Sequence, residues 1–146
     1  VFDLIPNDLP RLISIGRLDF MSEGLLLFTN NGDIARKFEL PSSNLLRVYR
    51  VCLNGIINKQ KINRINNGIT IEGIRYNKVK IEIEKSTLNS TWVLFKLLEG
   101  KNREIRNICK FFNWKIIKLI RIEFGPYKLG NLKIGKLEKI KVLKND

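Results

Sequence analysis

Residues 78–84 read Lys78-Val79-Lys80-Ile81-Glu82-Ile83-Glu84, and residues 99–112 read Glu99-Gly100-Lys101-Asn102-Arg103-Glu104-Ile105-Arg106-Asn107-Ile108-Cys109-Lys110-Phe111-Phe112. In the first stretch Val79, Ile81 and Ile83 alternate with charged side chains, the period of two that defines a strand with one buried face. Residues 91–98 form a second apolar strand, stopped by Glu99-Gly100. In the last stretch Ile105, Ile108, Cys109 and Phe112 fall at i, i+3, i+4 and i+7, a helical apolar stripe. Arg103, Arg106 and Lys110 occupy a neighbouring face, which can stay outward and charged while the helix docks. Two strands followed by a helix are the unit from which the rest is read.

Downstream, residues 115–124 read as a further strand, Gly125-Pro126 as a turn, and residues 137–143 as a last short strand. Upstream, residues 24–29 are a continuous apolar run expected to be a buried strand. Asn30-Asn31-Gly32-Asp33 then turns into a short helix with Ile34, Ala35 and Phe38 on one side. In residues 45–53, Tyr49, Val51 and Leu53 share one face and Val48, Arg50 and Cys52 the other. Residues 58–66 place Ile62 and Ile65 at helical spacing before Asn67-Gly68. Helices interspersed with hairpin-like strands predict an α+β domain built on a mixed, largely antiparallel sheet flanked by helices.

The chain has 146 residues, 44% hydrophobic and 28% charged, which suits one domain with its own core. No apolar run approaches the length of a membrane span. The first residues carry neither the basic region nor the long apolar stretch of a signal peptide, and the missing initiator Met suggests a fragment. Cys52 and Cys109 make no disulfide framework and are expected as core thiols in a reducing, intracellular setting, with the cytoplasm as default and an organelle left open. The absence of histidine excludes His-dependent triads and imidazole acid-base chemistry.

Net charge is +13, distributed as −2 over residues 1–46, +6 over 47–100 and +9 over 101–146. A basic surface of this size attracts polyanions, above all nucleic acid, through counterion release. Lysine enrichment from an AT-rich coding sequence is the competing source of that charge. Three places could carry chemistry. Asp19, flanked by Leu18 and Phe20, is placed to be partly desolvated; with a cationic partner it would stay ionised as a nucleophile or base, the alternative being a structural ion pair with Arg17 or a turn residue. Tyr49, among Arg47, Arg50 and Val51, suits base stacking beside phosphate contacts, or simple core packing. The turn at Gly100 opens a helix carrying Lys101, Arg103 and Arg106, which suits either a phosphate site or a solvated helix face.

The order of the motifs narrows these alternatives. Gly16-Arg17-Leu18-Asp19, followed by Ser22-Glu23-Gly24-Leu25-Leu26-Leu27-Phe28-Thr29-Asn30-Asn31-Gly32, closely resembles the signature of RsuA/RluB-type RNA pseudouridine synthases. Tyr49-Arg50-Val51 is similar to that family's second motif, and residues 99–106 to its third. Leu119-Ile120-Arg121-Ile122-Glu123-Phe124-Gly125-Pro126, with Leu129-Gly130-Asn131-Leu132 and Gly135, resembles its closing segment.

The resemblance implies an isomerase that converts a specific uridine to pseudouridine in structured RNA, ribosomal RNA foremost. Asp19 would act on the ribose of the flipped nucleotide, Tyr49 would stack on the base, and Arg106 would pair with the aspartate. Arg17, Lys101 and Arg103 would contact or support RNA. No metal, cofactor or membrane is implied, and a monomer is the expected state. Residues 1–146 would form the catalytic domain alone, N-terminally truncated and without the S4-type domain that usually precedes it. The chain departs from the family at Leu40-Pro41, Glu104 and Asn107, none of them an assigned catalytic position. A non-catalytic RNA-binding or ribosome-assembly protein on the same fold is the alternative reading.

Overall fold

The computed structural model of the chain describes residues 5–16, 18, 21–40, 44–99 and 103–141. In chain order the elements are β1 (Ile13–Ile15), β2 (Glu23–Gly24), β3 (Leu27–Thr29), α1 (Gly32–Glu39), β4 (Arg47–Asn54), α2 (Lys59–Asn66), β5 (Ile69–Ile71), β6 (Ile74–Tyr76), β7 (Val79–Ser86), β8 (Ser90–Leu97), α3 (Glu104–Phe111), β9 (Ile116–Phe124) and β10 (Tyr127–Lys128). Strands β10, β9, β4, β8 and β7 lie side by side in that order, all antiparallel, and β2 adds to β9 in parallel. Two small hairpin-like ladders, β1–β3 and β5–β6, complete the α+β architecture expected from the sequence.

Local chemistry sets the helix boundaries. The side chain of Asn31 caps α1 by accepting from the amides of Asp33 at 2.9 Å and Ile34 at 3.3 Å, and Asn58 caps α2 by accepting from the Gln60 amide at 2.7 Å. Asn66 then ties α2 to the sheet edge: its Nδ2 donates to the Ile81 carbonyl at 3.0 Å, and its Oδ1 accepts from the Ile81 amide at 2.6 Å. The turn between β5 and β6 uses Glu72 and Gly73, both at positive φ (49° and 80°), the conformation of a two-residue hairpin turn that glycine favours.

The interior divides into two clusters. The larger packs α2 and α3 onto one sheet face through Val51, Val93, Phe95, Ile62, Ile65 and Ile108 among others. The smaller gathers Ile15, Leu25, Leu27, Ala35, Phe38, Leu45, Phe124 and Tyr127 between α1, the β1–β3 ladder and the far end of β9. Cys52 and Cys109 are both buried free thiols.

Two expected strands differ. Residues 24–29 are not one strand: Gly24 pairs with Arg121 of β9, Leu27–Thr29 pairs with Ile13–Ile15 of β1, and the chain changes partners at Leu25-Leu26. Residues 137–141 form no strand, and Leu137 and Ile140 are exposed, because no ladder accepts them beyond the short β10. The remainder of that segment, from 142, lies outside the described residues.

Phe95 is fully buried at the centre of the larger cluster, so Phe95→Ala should cost about 3–5 kcal/mol by loss of transfer energy and creation of a cavity. Leu88→Ala, at a position 90% exposed, should stay within about 0.5 kcal/mol of the parent. Urea denaturation midpoints at constant m-value check both.

Candidate active site

Tyr49 sits on β4, half-buried and packed against the larger core. Val48 pairs with Glu123 of β9, but Tyr49 pairs with Arg121, so β9 carries one extra residue, Ile122, at this point. A bulge of this kind re-aims side chains. It brings Phe124 and Arg121, three residues apart, onto the face shared by Arg47 and Tyr49. Arg47 and Arg121 both lie over the Phe124 ring, 5.1 Å and 4.7 Å from its centroid.

Arg121 is 3% exposed. Burial pushes its guanidinium below the ordinary arginine range, Tyr49 counteracts that by attraction and a side-chain hydrogen bond, and the charge of Arg47 adds to the lowering. Its Nε donates to the Leu25 carbonyl at 2.9 Å, while its own carbonyl accepts from the Leu25 amide at 2.8 Å. The neighbouring Gly24, at φ +112°, is required here: a Cβ at this position would fall against the carbonyl and amide of Arg121.

Arg106 reaches the same stretch of chain from the opposite side of the sequence. It projects from α3, whose Ile105, Ile108 and Cys109 are buried in the larger core, and its Nη2 donates to Ser22 Oγ at 3.3 Å. Segment 22–25, just beyond Asp19, is therefore held at one end by Arg106 and at the other by Arg121. Lys118 adds a looser ion pair to Glu23 at 3.8 Å. Arg103 stands exposed at the N-cap of α3 with φ +50°, a left-handed conformation uncommon for a residue with a Cβ. Asn107, one position past Arg106, donates to the Tyr76 hydroxyl at 3.4 Å, so this departure from the family pattern is used in packing.

Of the residues singled out from sequence, Tyr49, Arg103 and Arg106 have described positions. Asp19, Arg17 and Lys101 lie outside the described residues. Arg121 had no role assigned from sequence; only its inclusion in the closing motif marked it. Among the described residues no group of three or more His, Cys, Asp or Glu side chains could hold a metal ion, and no helix is long and apolar enough to cross a membrane.

A solved structure described as a pseudouridylate synthase superposes on 92% of this chain and 59% of its own, with a TM-score of 0.83 at 23% sequence identity. The fold is thus the pseudouridylate synthase fold. The sequence profile of RNA pseudouridylate synthases matches residues 5–111, and the chain belongs to that family. Among curated relatives, an uncharacterized RNA pseudouridine synthase of Rickettsia typhi is 51% identical over 138 residues, covering 93% of this chain and 57% of the relative. The ribosomal large subunit pseudouridine synthase B of Buchnera aphidicola from Acyrthosiphon pisum is 38% identical over 139 residues, covering 92% of this chain and 56% of the relative. The chain spans little more than half the length of these relatives.

Cys109 lies one helical turn beyond Arg106, and burial pushes its thiol from 9.0 up to about 12, with Arg106 pulling the other way. Between these values the unfolded chain has released the thiol proton and the folded protein still holds it. Stability should therefore fall as pH rises above 9, by up to about 1.4 kcal/mol per pH unit from this group. Urea titrations of wild type and Cys109→Ala across that range check it: the extra slope should vanish in the variant.

Proposed function

We propose that this chain is the catalytic portion of an RNA pseudouridine synthase that isomerises a uridine in structured RNA, with ribosomal RNA as the substrate class. The observation that carries the reading is the Arg106–Ser22 contact, which brings the third motif onto the first across 84 residues of sequence. The profile match over residues 5–111 and the ribosomal RNA-modifying name of the Buchnera relative support it.

In this reading the target uridine leaves its stack and enters beside Tyr49, whose ring covers the uracil. Asp19 acts on the ribose, either by attack at C1′ or by assisting deprotonation at C2′. The C1′–N1 bond breaks, the detached uracil rotates, C5 bonds to C1′, and the C5 proton passes to solvent while N1 takes up a proton. Arg106, carried by α3 to the chain just beyond Asp19, holds that carboxylate ionised in a partly desolvated setting. Arg17, Lys101 and Arg103 engage the phosphates of the surrounding RNA, where the excess positive charge of the C-terminal two-thirds provides attraction.

A large-subunit ribosomal RNA transcript tritiated at uridine C5 provides the test. Wild-type protein should release tritium to water without added metal or cofactor, and Asp19→Ala should release none while retaining the fold and RNA affinity. Release by Asp19→Ala at the wild-type rate would overturn the assignment of Asp19. Binding without release by wild type would favour the RNA-binding reading, unless a longer chain restores turnover.

A further inference from the structure

Arg121 is a buried cation with no acidic partner among the described residues. Burying such a charge is costly, so its contacts show what it is held for. Among the described residues its Nε goes to the Leu25 carbonyl and its plane lies over the Phe124 ring, while Tyr49 stands directly across from it in the β4–β9 register, on the same face, and favours its charged form. Its geometry depends on the extra residue in β9. Without that bulge Tyr49 would face Ile122, and Arg121 would point to the opposite side of the sheet. The guanidinium is planar and carries several donors in fixed directions, so it can hold two acceptors in one relative geometry, which a lysine cannot do.

We infer that Arg121 is a positioning residue, one side chain that fixes the Tyr49 ring relative to the 22–25 segment following Asp19. The inference rests on the proposed role of Tyr49 at the uracil. Arg121 itself touches no reacting atom; it acts by keeping the stacking ring and the 22–25 segment in register, so that a uracil seated on Tyr49 presents its ribose to Asp19. Misplacement of reacting groups by small distances lowers rate more than binding.

The chain has three tyrosines, Tyr49, Tyr76 and Tyr127, and isotopic labelling of tyrosine gives three ring resonances, with Tyr49→Phe identifying the first. Arg121→Lys should shift the Tyr49 resonance and leave that of Tyr76, whose hydroxyl accepts from Asn107, in place. In single-turnover tritium release, Arg121→Lys and Tyr49→Phe should each slow the reaction by about tenfold at unchanged RNA affinity, the size expected for one charged hydrogen bond. The double variant should be slowed by about tenfold as well, because the two changes remove one interaction. An unmoved Tyr49 resonance, or losses that multiply to about a hundredfold, would overturn the inference. If neither this chain nor a longer one releases tritium, the functional reading fails, and the resonance still decides whether Arg121 holds Tyr49. Should Arg121→Lys not fold, Tyr49→Phe must shift the Arg121 Nε resonance, assigned through its contact with Phe124; an unmoved resonance would again overturn it.

Discussion

Gly24 and Arg121 approach so closely that no side chain fits between them, and much of the molecule is arranged around that contact. The parallel bridge of β2 to β9 puts the Leu25 amide on the Arg121 carbonyl, and the Arg121 side chain returns to the Leu25 carbonyl. The two bonds hold one residue by both its donor and its acceptor. This matters because the segment is otherwise weakly supported. β2 contributes two residues, β3 only three, and the chain between them has no ladder. A short stretch with so little pairing would be expected among the least protected parts of a fold, yet it directly follows the aspartate proposed for chemistry. Fixing it to β9, which pairs along most of its length with β4, transfers the rigidity of the central sheet to it.

The same contact joins two cores. Leu25 and Phe124 belong to the smaller cluster with α1 and the β1–β3 ladder, whereas Tyr49 packs against the larger one under α2 and α3. Arg121 stands between them on β9, with Leu119 in the larger cluster on one side and Phe124 in the smaller on the other. A polar junction between two hydrophobic bodies can be specific in a way that an apolar one cannot, since a guanidinium bonded to a carbonyl and laid over an aromatic ring tolerates little sliding. Arg106 adds a second such connection from α3 to Ser22. Two arginines from distant motifs therefore bracket four residues.

Much of this architecture was legible in the chain because its cause is local. The alternation at residues 78–84, the stripe through Ile105, Ile108 and Cys109, and the faces of residues 45–53 are set by neighbours in sequence and survive folding unchanged. The hairpin of β5 and β6 also carried a local sign, the Glu72-Gly73 turn, but its strands of three residues are too short for alternation to identify. The errors have a different origin. Residues 24–29 read as one strand because every residue is apolar or small, and only the distant partners β9 and β1 divide it. Residues 137–143 mix apolar side chains with charged ones, with alternation at Ile140-Lys141-Val142 alone, and such a stretch makes a strand only where a sheet edge accepts one.

Arg121 was illegible for the same reason. In a regular strand it would share a face with Leu119 and Glu123, and Phe124 would lie on the other side. The single extra residue that brings Arg121 and Phe124 together leaves no mark of its own in sequence, since Ile122 is as good a strand former as its neighbours. What composition did reveal was charge, and charge alone cannot separate an arginine that meets RNA from one that holds the fold. Burial separates them here. Arg103 is exposed at the start of α3, whereas Arg121 is enclosed, bonded to the protein's own Leu25 carbonyl and set over the Phe124 ring. The basic excess thus comprises two populations with different physics: an outer one whose effect salt should screen, and an inner one whose hydrogen bonds salt should scarcely touch.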